Sequence, residues 1–221
     1  MPGGRRKLPV LAEIGTPPSG PARAWSLRRA DLAAMSKLQG ELEDRCIVLG
    51  GEQAPAVALA LASAASAAGR RTALVECDLE RPRLAADLGL APAPGLHEYL
   101  RWEATAPQIL QPLVLAGPAA GAATAPLVCV VAGRPAKDPE TLSSLESFRH
   151  AVAKLRGAYD LVVLAGPPPG SSALPAIAAE ADVLLASSSP QALAGRAGRA
   201  LRAALRKLPV ETRGTILIAA A

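Results

Sequence analysis

The sequence predicts an α/β fold with a mostly parallel central sheet, on two observations. The first is the run 46–82, CIVLGGEQAPAVALALASAASAAGRRTALVECDLERP. It reads as a short apolar strand at 46–49, a glycine turn at Gly50 and Gly51, an Ala/Leu-rich helix closing near Gly69, and a second apolar strand at 72–75. Strand, turn, helix, strand is the unit from which parallel sheets are wound, because parallel neighbours need a crossover long enough to hold a helix. The second is the recurrence of short, continuous apolar runs at 126–133, 159–165, 181–188 and 214–221, with helix-length stretches between them. Runs of that length without polar alternation suit strands buried on both faces.

The other elements follow in order. Residues 1–24, rich in Gly, Pro and Arg, are expected to form a flexible leader or linker, and 25–221 a single domain. A charged helix is expected over 25–45, with Leu27, Leu32, Met35, Leu38 and Leu42 on one face. Residues 81–90 give a turn and a short helix, and 103–126, rich in Ala and Pro, a helix and loop. Asp138 suits a turn ahead of a helix that Pro139 begins. The helix at 191–207 carries Arg196, Arg199, Arg202, Arg206 and Lys207, either as a solvated face or as a surface for an anionic lipid or acidic partner.

Composition sets outer bounds. With 221 residues the chain suits one α/β domain. Hydrophobic residues make up 50% but aromatics only 2%, so the core must be built from Ala, Leu and Val, which demands close helix–sheet packing. The net charge of +5 permits an acidic partner, a membrane surface or nucleic acid, and equally an Arg-biased soluble surface. Cys46, Cys77 and Cys129 have no metal-ligand spacing and fall in or beside strands, which reads as reduced buried thiols in a cytosol. His97 and His150 have no Cys, Ser or second His at catalytic spacing and read as surface or packing residues. No apolar run reaches the length of about 18 residues that a membrane-spanning helix needs.

A phosphate-binding loop between strand and helix has the pattern G-x-x-x-x-G-K-[ST]. Here Gln53, Ala54, Pro55 and Ala56 stand where Gly, Lys, Ser/Thr and Thr belong. From Gly51 to Asp78 the chain nevertheless resembles the nucleotide-binding segment of the bacterial tyrosine kinases of capsule and exopolysaccharide synthesis, within the MinD/ParA-like P-loop ATPases. That family's loop reads G-E-G-K-S-T and its second strand ends D-x-D-L-R-[RK]-P. This chain has Gly51, Glu52, Gln53, Ala54, Pro55 and Ala56, then ECDLERP, in which Asp78, Leu79, Arg81 and Pro82 fit the pattern.

The resemblance continues along nearly the whole chain. LPVLAEI (8–14) is similar to the segment joining the kinase domain to a membrane chain-length-determinant region, and Gly95, Leu96 and Leu100 to a recurrent G-L-x-x-x-L. Gly133, Asp138, Pro139 and Leu142 match G-x-x-x-x-N-P-x-E-L with Asp for Asn. YDLVVLAGPPPG (159–170) matches Y-D-x-V-I-I-D-x-P-P, but Ala165 replaces the later Asp, which in the family holds magnesium through water. Ala219 stands where the family has an Asn near the adenine, and residues 214–221 carry no tyrosine.

The resemblance implies a P-loop NTPase-like three-layer α/β/α fold, ATP and magnesium as the family's ligands, and protein-tyrosine kinase chemistry. It places the phosphate loop at 51–56, with Asp78 as the residual catalytic candidate. The replaced residues argue against that chemistry. Phosphoryl transfer rests on positioning and charge, and a single preorganised donor contributes about 3 kcal/mol. Magnesium wants carboxylates and phosphate oxygens, and Pro55 lacks an N–H for a phosphate nest. The expected protein is therefore a degenerate, non-enzymatic regulatory or scaffold subunit at the cytoplasmic face of the membrane. Its expected partners are a chain-length-determinant-type membrane protein, an active kinase paralogue or further copies of itself. Two alternatives stand beside it. One is a residual ATP-binding kinase using Asp78, Glu76 and backbone groups. The other is a MinD/ParA-like positioning protein binding membrane or DNA through the 191–207 helix; the LPVLAEI segment favours the polysaccharide group, in which nucleic acid is not an expected partner.

Overall fold

The computed structural model describes residues 8–17, 20–22, 25–51, 53–115 and 125–219. The chain runs β1 (Val10–Gly15), α1 (Arg29–Glu41), β2 (Cys46–Gly50), α2 (Ala54–Ala67), β3 (Thr72–Glu76), α3 (Leu84–Leu88), α4 (Leu96–Leu100), α5 (Ala106–Ile109) and β4 (Gln111–Pro112). It continues β5 (Leu127–Val130), α6 (Pro139–Ser143), α7 (Glu146–Ala158), β6 (Leu161–Ala165), α8 (Leu174–Ala179), β7 (Val183–Ser188), α9 (Pro190–Ala194), α10 (Arg196–Leu205) and β8 (Thr212–Ala219). The strands form one sheet in the order β1-β8-β7-β2-β6-β3-β5-β4, parallel throughout except for the β4–β5 pair.

Strand alternation divides the interior into two layers. Ile47, Leu49, Leu74, Val163 and Ala165 point into one core, with α1, α2 and α3. Cys46, Val48, Val75, Val162 and Leu164 point into the other, with α4, α7, α8 and Leu205 of α10. The fold is thus the three-layer α/β/α arrangement with a mostly parallel sheet. Small side chains make the layers close: ten of the fourteen residues of α2 are buried, nine of them Ala, Val or Leu. On α1, Met35 and Leu38 are buried and Leu32 half-buried, as the spacing predicts. All three cysteines are free and buried, and burial pushes the Cys46 thiol up to about 12.

Three expectations need correction. Residues 10–15, expected in a flexible leader, form the edge strand β1, paired in parallel with β8 from Val10 to Gly15. Asp31 in the first turn of α1 secures that edge, accepting the Gly15 amide at 3.0 Å and the Arg28 Nε at 2.7 Å. The rest of the leader, 1–7, 18–19 and 23–24, lies outside the described residues. The single helix expected over 191–207 is two, α9 and α10, because Gly195 between them is extended (φ −88°, ψ −160°). Within 103–126, a two-residue strand, β4, adds antiparallel to β5.

Candidate functional site

The turn between β2 and α2 occupies the carboxyl end of the sheet, where open α/β sheets bind their ligands. Gly51 has φ +145°, and a Cβ there would stand 2.3 Å from the carbonyl oxygen of Ser187 at the end of β7, so only glycine fits. Glu52 lies outside the described residues. Gln53 is exposed, and Ala54, wholly buried, donates its amide to the Gly51 carbonyl at 3.1 Å. Pro55 and Ala56 in the first turn of α2 are half-buried. Two features of a phosphate cradle are therefore altered in the backbone as well as in the side chains: the Ala54 N–H closes a turn instead of pointing outward, and Pro55 has none to offer.

Ala165 ends β6 beside this turn. It registers with Leu49 of β2 on one side and Glu76 of β3 on the other, and is wholly buried. Its carbonyl accepts the Cys77 amide at 2.8 Å, and the next amide, Gly166, donates to Leu49 at 2.8 Å. A methyl group, not a carboxylate, thus sits between the turn and the end of β3.

The two acidic residues that close β3 have separate occupations. Glu76, wholly buried, accepts three backbone amides: Arg83 at 2.5 Å and Leu84 at 2.8 Å through Oε1, and Ala132 at 3.0 Å through Oε2. Burial pushes its carboxyl up against the pull of those amides. Asp78 accepts the Arg81 amide at 3.1 Å and lies 3.8 Å from the Arg81 guanidinium, and burial raises its carboxyl too. Glu76 is a staple between β3, β5 and the start of α3, and Asp78 closes the turn that follows. Among the described residues no three His, Cys, Asp or Glu side chains converge as a metal would require. The side chains at 54–56 and 165 supply neither the lysine and hydroxyls nor the carboxylate that a magnesium–nucleotide site of the phosphate-loop kind uses.

Two groups at this end of the sheet are not singled out by the sequence. Ser187 Oγ is buried, has no partner among the described residues and faces Gly51; the Ser187-Ser188-Ser189 triplet closing β7 is its only signal. Glu98, also buried, accepts the Gly95 amide at 2.8 Å and the Arg134 amide and Nε at 3.1 and 2.8 Å. Burial opposes its ionisation, but the Arg134 guanidinium and the amides prevail and hold it at about 2. Around it the G-L-x-x-x-L segment docks on β5: the Leu96 and His97 amides each donate at 2.8 Å to Val131 and Ala132. A Cβ on Gly95 would stand 2.4 Å from the Gly133 nitrogen. His97 Nδ1 is 2.6 Å from the Arg134 carbonyl, a packing role.

This is the fold of the P-loop ATPases, and its neighbours among solved structures include bacterial tyrosine kinase domains. The kinase domain of the Escherichia coli tyrosine kinase ETK matches at a TM-score of 0.75 and 16% identity over 96% of this chain and 91% of its own. The VpsO kinase domain matches at 0.71 and 23% identity over 85% of this chain and 92% of its own. The septum site-determining protein MinD of Pyrococcus horikoshii, complexed with Mg-ADP, matches at 0.57 and 17% identity over 78% and 69%. No family model matches the sequence, and no curated protein matches it.

Proposed function

We propose that this protein is a catalytically degenerate relative of the bacterial tyrosine kinases, serving as a regulatory or scaffold component of capsular or exopolysaccharide synthesis or export. The observation that carries the reading is the Ala54 amide bonded to the Gly51 carbonyl, followed by Pro55, in the turn where the fold's relatives hold phosphate. With no lysine at 54, no hydroxyl at 55 or 56 and Ala165 buried between Leu49 and Glu76, nothing in this turn neutralises a triphosphate or orients its metal. The protein then works through its surfaces, at the cytoplasmic face of the membrane. Its partner is a chain-length-determinant-type membrane protein, an active kinase paralogue or another copy. The division into a leader up to residue 24 and a kinase-like domain from 25 belongs to the same reading, with β1 completing the domain's sheet from the leader side.

The test is calorimetric titration with ATP and ADP, with and without magnesium. The wild type is compared with a variant carrying Gln53→Gly, Ala54→Lys, Pro55→Ser and Ala56→Thr. No heat of binding from the wild type at millimolar nucleotide, with binding gained in the variant, is the expected outcome. Micromolar binding by the wild type would overturn the reading in favour of a residual nucleotide site at Asp78.

A further inference from the structure

Five of the chain's 24 Lys and Arg residues fall on one short helix and the turn after it. On α10 and the residue pair after it, Arg196, Arg199, Arg202, Arg206 and Lys207 recur at intervals of three or four, apart from the final pair, so they fall on one stripe. An adjoining side of the helix buries Gly198 and Leu205 against the protein, and the stripe faces outward. Arg202 is half-buried, its Nη1 bonded to the Leu193 carbonyl at 3.2 Å, while the other four cations are exposed. None of the five forms an ion pair with a described carboxylate.

A second, independent observation adds to it. Leu8, where the described chain enters β1, shares a cavity of about 230 Å³ with Arg202, Leu205, Arg206 and Val210. Five cations therefore lie beside the residue that leads into β1, at one edge of the sheet.

We propose that this edge docks on an anionic phospholipid bilayer. Clusters of four to eight Lys and Arg on an amphipathic helix attract acidic headgroups, and arginine binds phosphate in a fork. Half-buried Leu8, Leu208 and Val210 line the cavity beside Arg202 and Arg206, placing apolar groups where an interfacial helix meets the acyl boundary. Single-stranded nucleic acid would instead want aromatic platforms for stacking. The chain's five aromatic residues, Trp25, Tyr99, Trp102, Phe148 and Tyr159, are all absent from α10 and β1. The proposal does not depend on the state of the phosphate loop.

The experiment is vesicle flotation of the full chain. Vesicles of phosphatidylcholine alone are compared with vesicles containing about a third phosphatidylglycerol, at low and high salt, with a duplex DNA competitor in parallel. Binding is expected only with phosphatidylglycerol, weakening with salt. Each surface cation contributes about fivefold, so the Arg199→Glu/Arg206→Glu variant should bind at least tenfold more weakly while unfolding at the wild-type temperature. Loss of nucleotide binding or its retention would leave this result unchanged. Equal binding by variant and wild type, no binding to acidic vesicles at low salt, or tighter variant-sensitive binding to DNA than to vesicles would each overturn the proposal.

Discussion

The Glu76 carboxylate accepts the Ala132 amide at 3.0 Å, joining the end of β3 to the chain leaving β5. With its other oxygen on the Arg83 and Leu84 amides, this one side chain closes three segments around the carboxyl end of the sheet. Glu76→Ala would strand three donors, and buried donors without partners cost about 1–3 kcal/mol each before relaxation. The expected loss is about 3 kcal/mol, read from the midpoint of urea unfolding. Glu76→Gln keeps Oε1 and should cost about 1 kcal/mol.

Glu98 predicts an acid limb. Its carboxyl is held at about 2 in the fold, below the ordinary 4.5. A lowered carboxyl contributes stability that is complete above the unfolded value and is lost as pH falls from about 4.5 towards 2. Glu98→Gln should therefore cost about 2 kcal/mol at pH 7 and little at pH 2.5, after allowing for the exposure of Arg134. Parallel stability curves for the two proteins across that window would refute the assignment.

Two glycines should behave oppositely. A Cβ on Gly95 meets the Gly133 nitrogen and the Val131 oxygen, both at 2.4 Å, and backbone cannot step aside. Gly95→Ala should destabilise by about 2 kcal/mol as α4 is pushed off β5. Gly157, within α7, has open space where its Cβ would go. Gly157→Ala should stabilise by up to about 1 kcal/mol. Thermal unfolding of both variants checks the pair.

Ala165→Asp, which puts a carboxylate at the end of β6, should destabilise the fold. The new side chain would lie beside Glu76 in register, both buried. Two carboxylates so placed cannot both ionise cheaply. The variant is expected to lose about 3 kcal/mol at pH 7 and to recover part of it at pH 5, where the pair can share a proton; calorimetric unfolding at both values decides.

The β2–α2–β3 unit was legible because its signals are local: apolar runs of strand length, a glycine pair and an uninterrupted Ala/Leu helix. The altered loop was equally legible, since Ala54, Pro55 and Ala165 are recognisable by what they lack. Edge strand β1 was hidden by neighbouring Pro and Gly and by a partner, β8, some 200 positions away. Gly195 read as one more helical position, because nothing local distinguishes an extended glycine between two short helices. In the sequence Glu76 reads as part of a residual nucleotide site. Its partners at 83, 84 and 132 come together only when β5 lies beside β3.

Helix α2 has no solvent face to speak of: the sheet lies on one side and α1 on the other. Amides in such a helix exchange with solvent only when the whole domain opens. At its first residue the Ala54 amide, wholly buried and bonded to the Gly51 carbonyl, shares the same slow clock. The Ala54 amide would be among the last to take up deuterium, with or without a ligand.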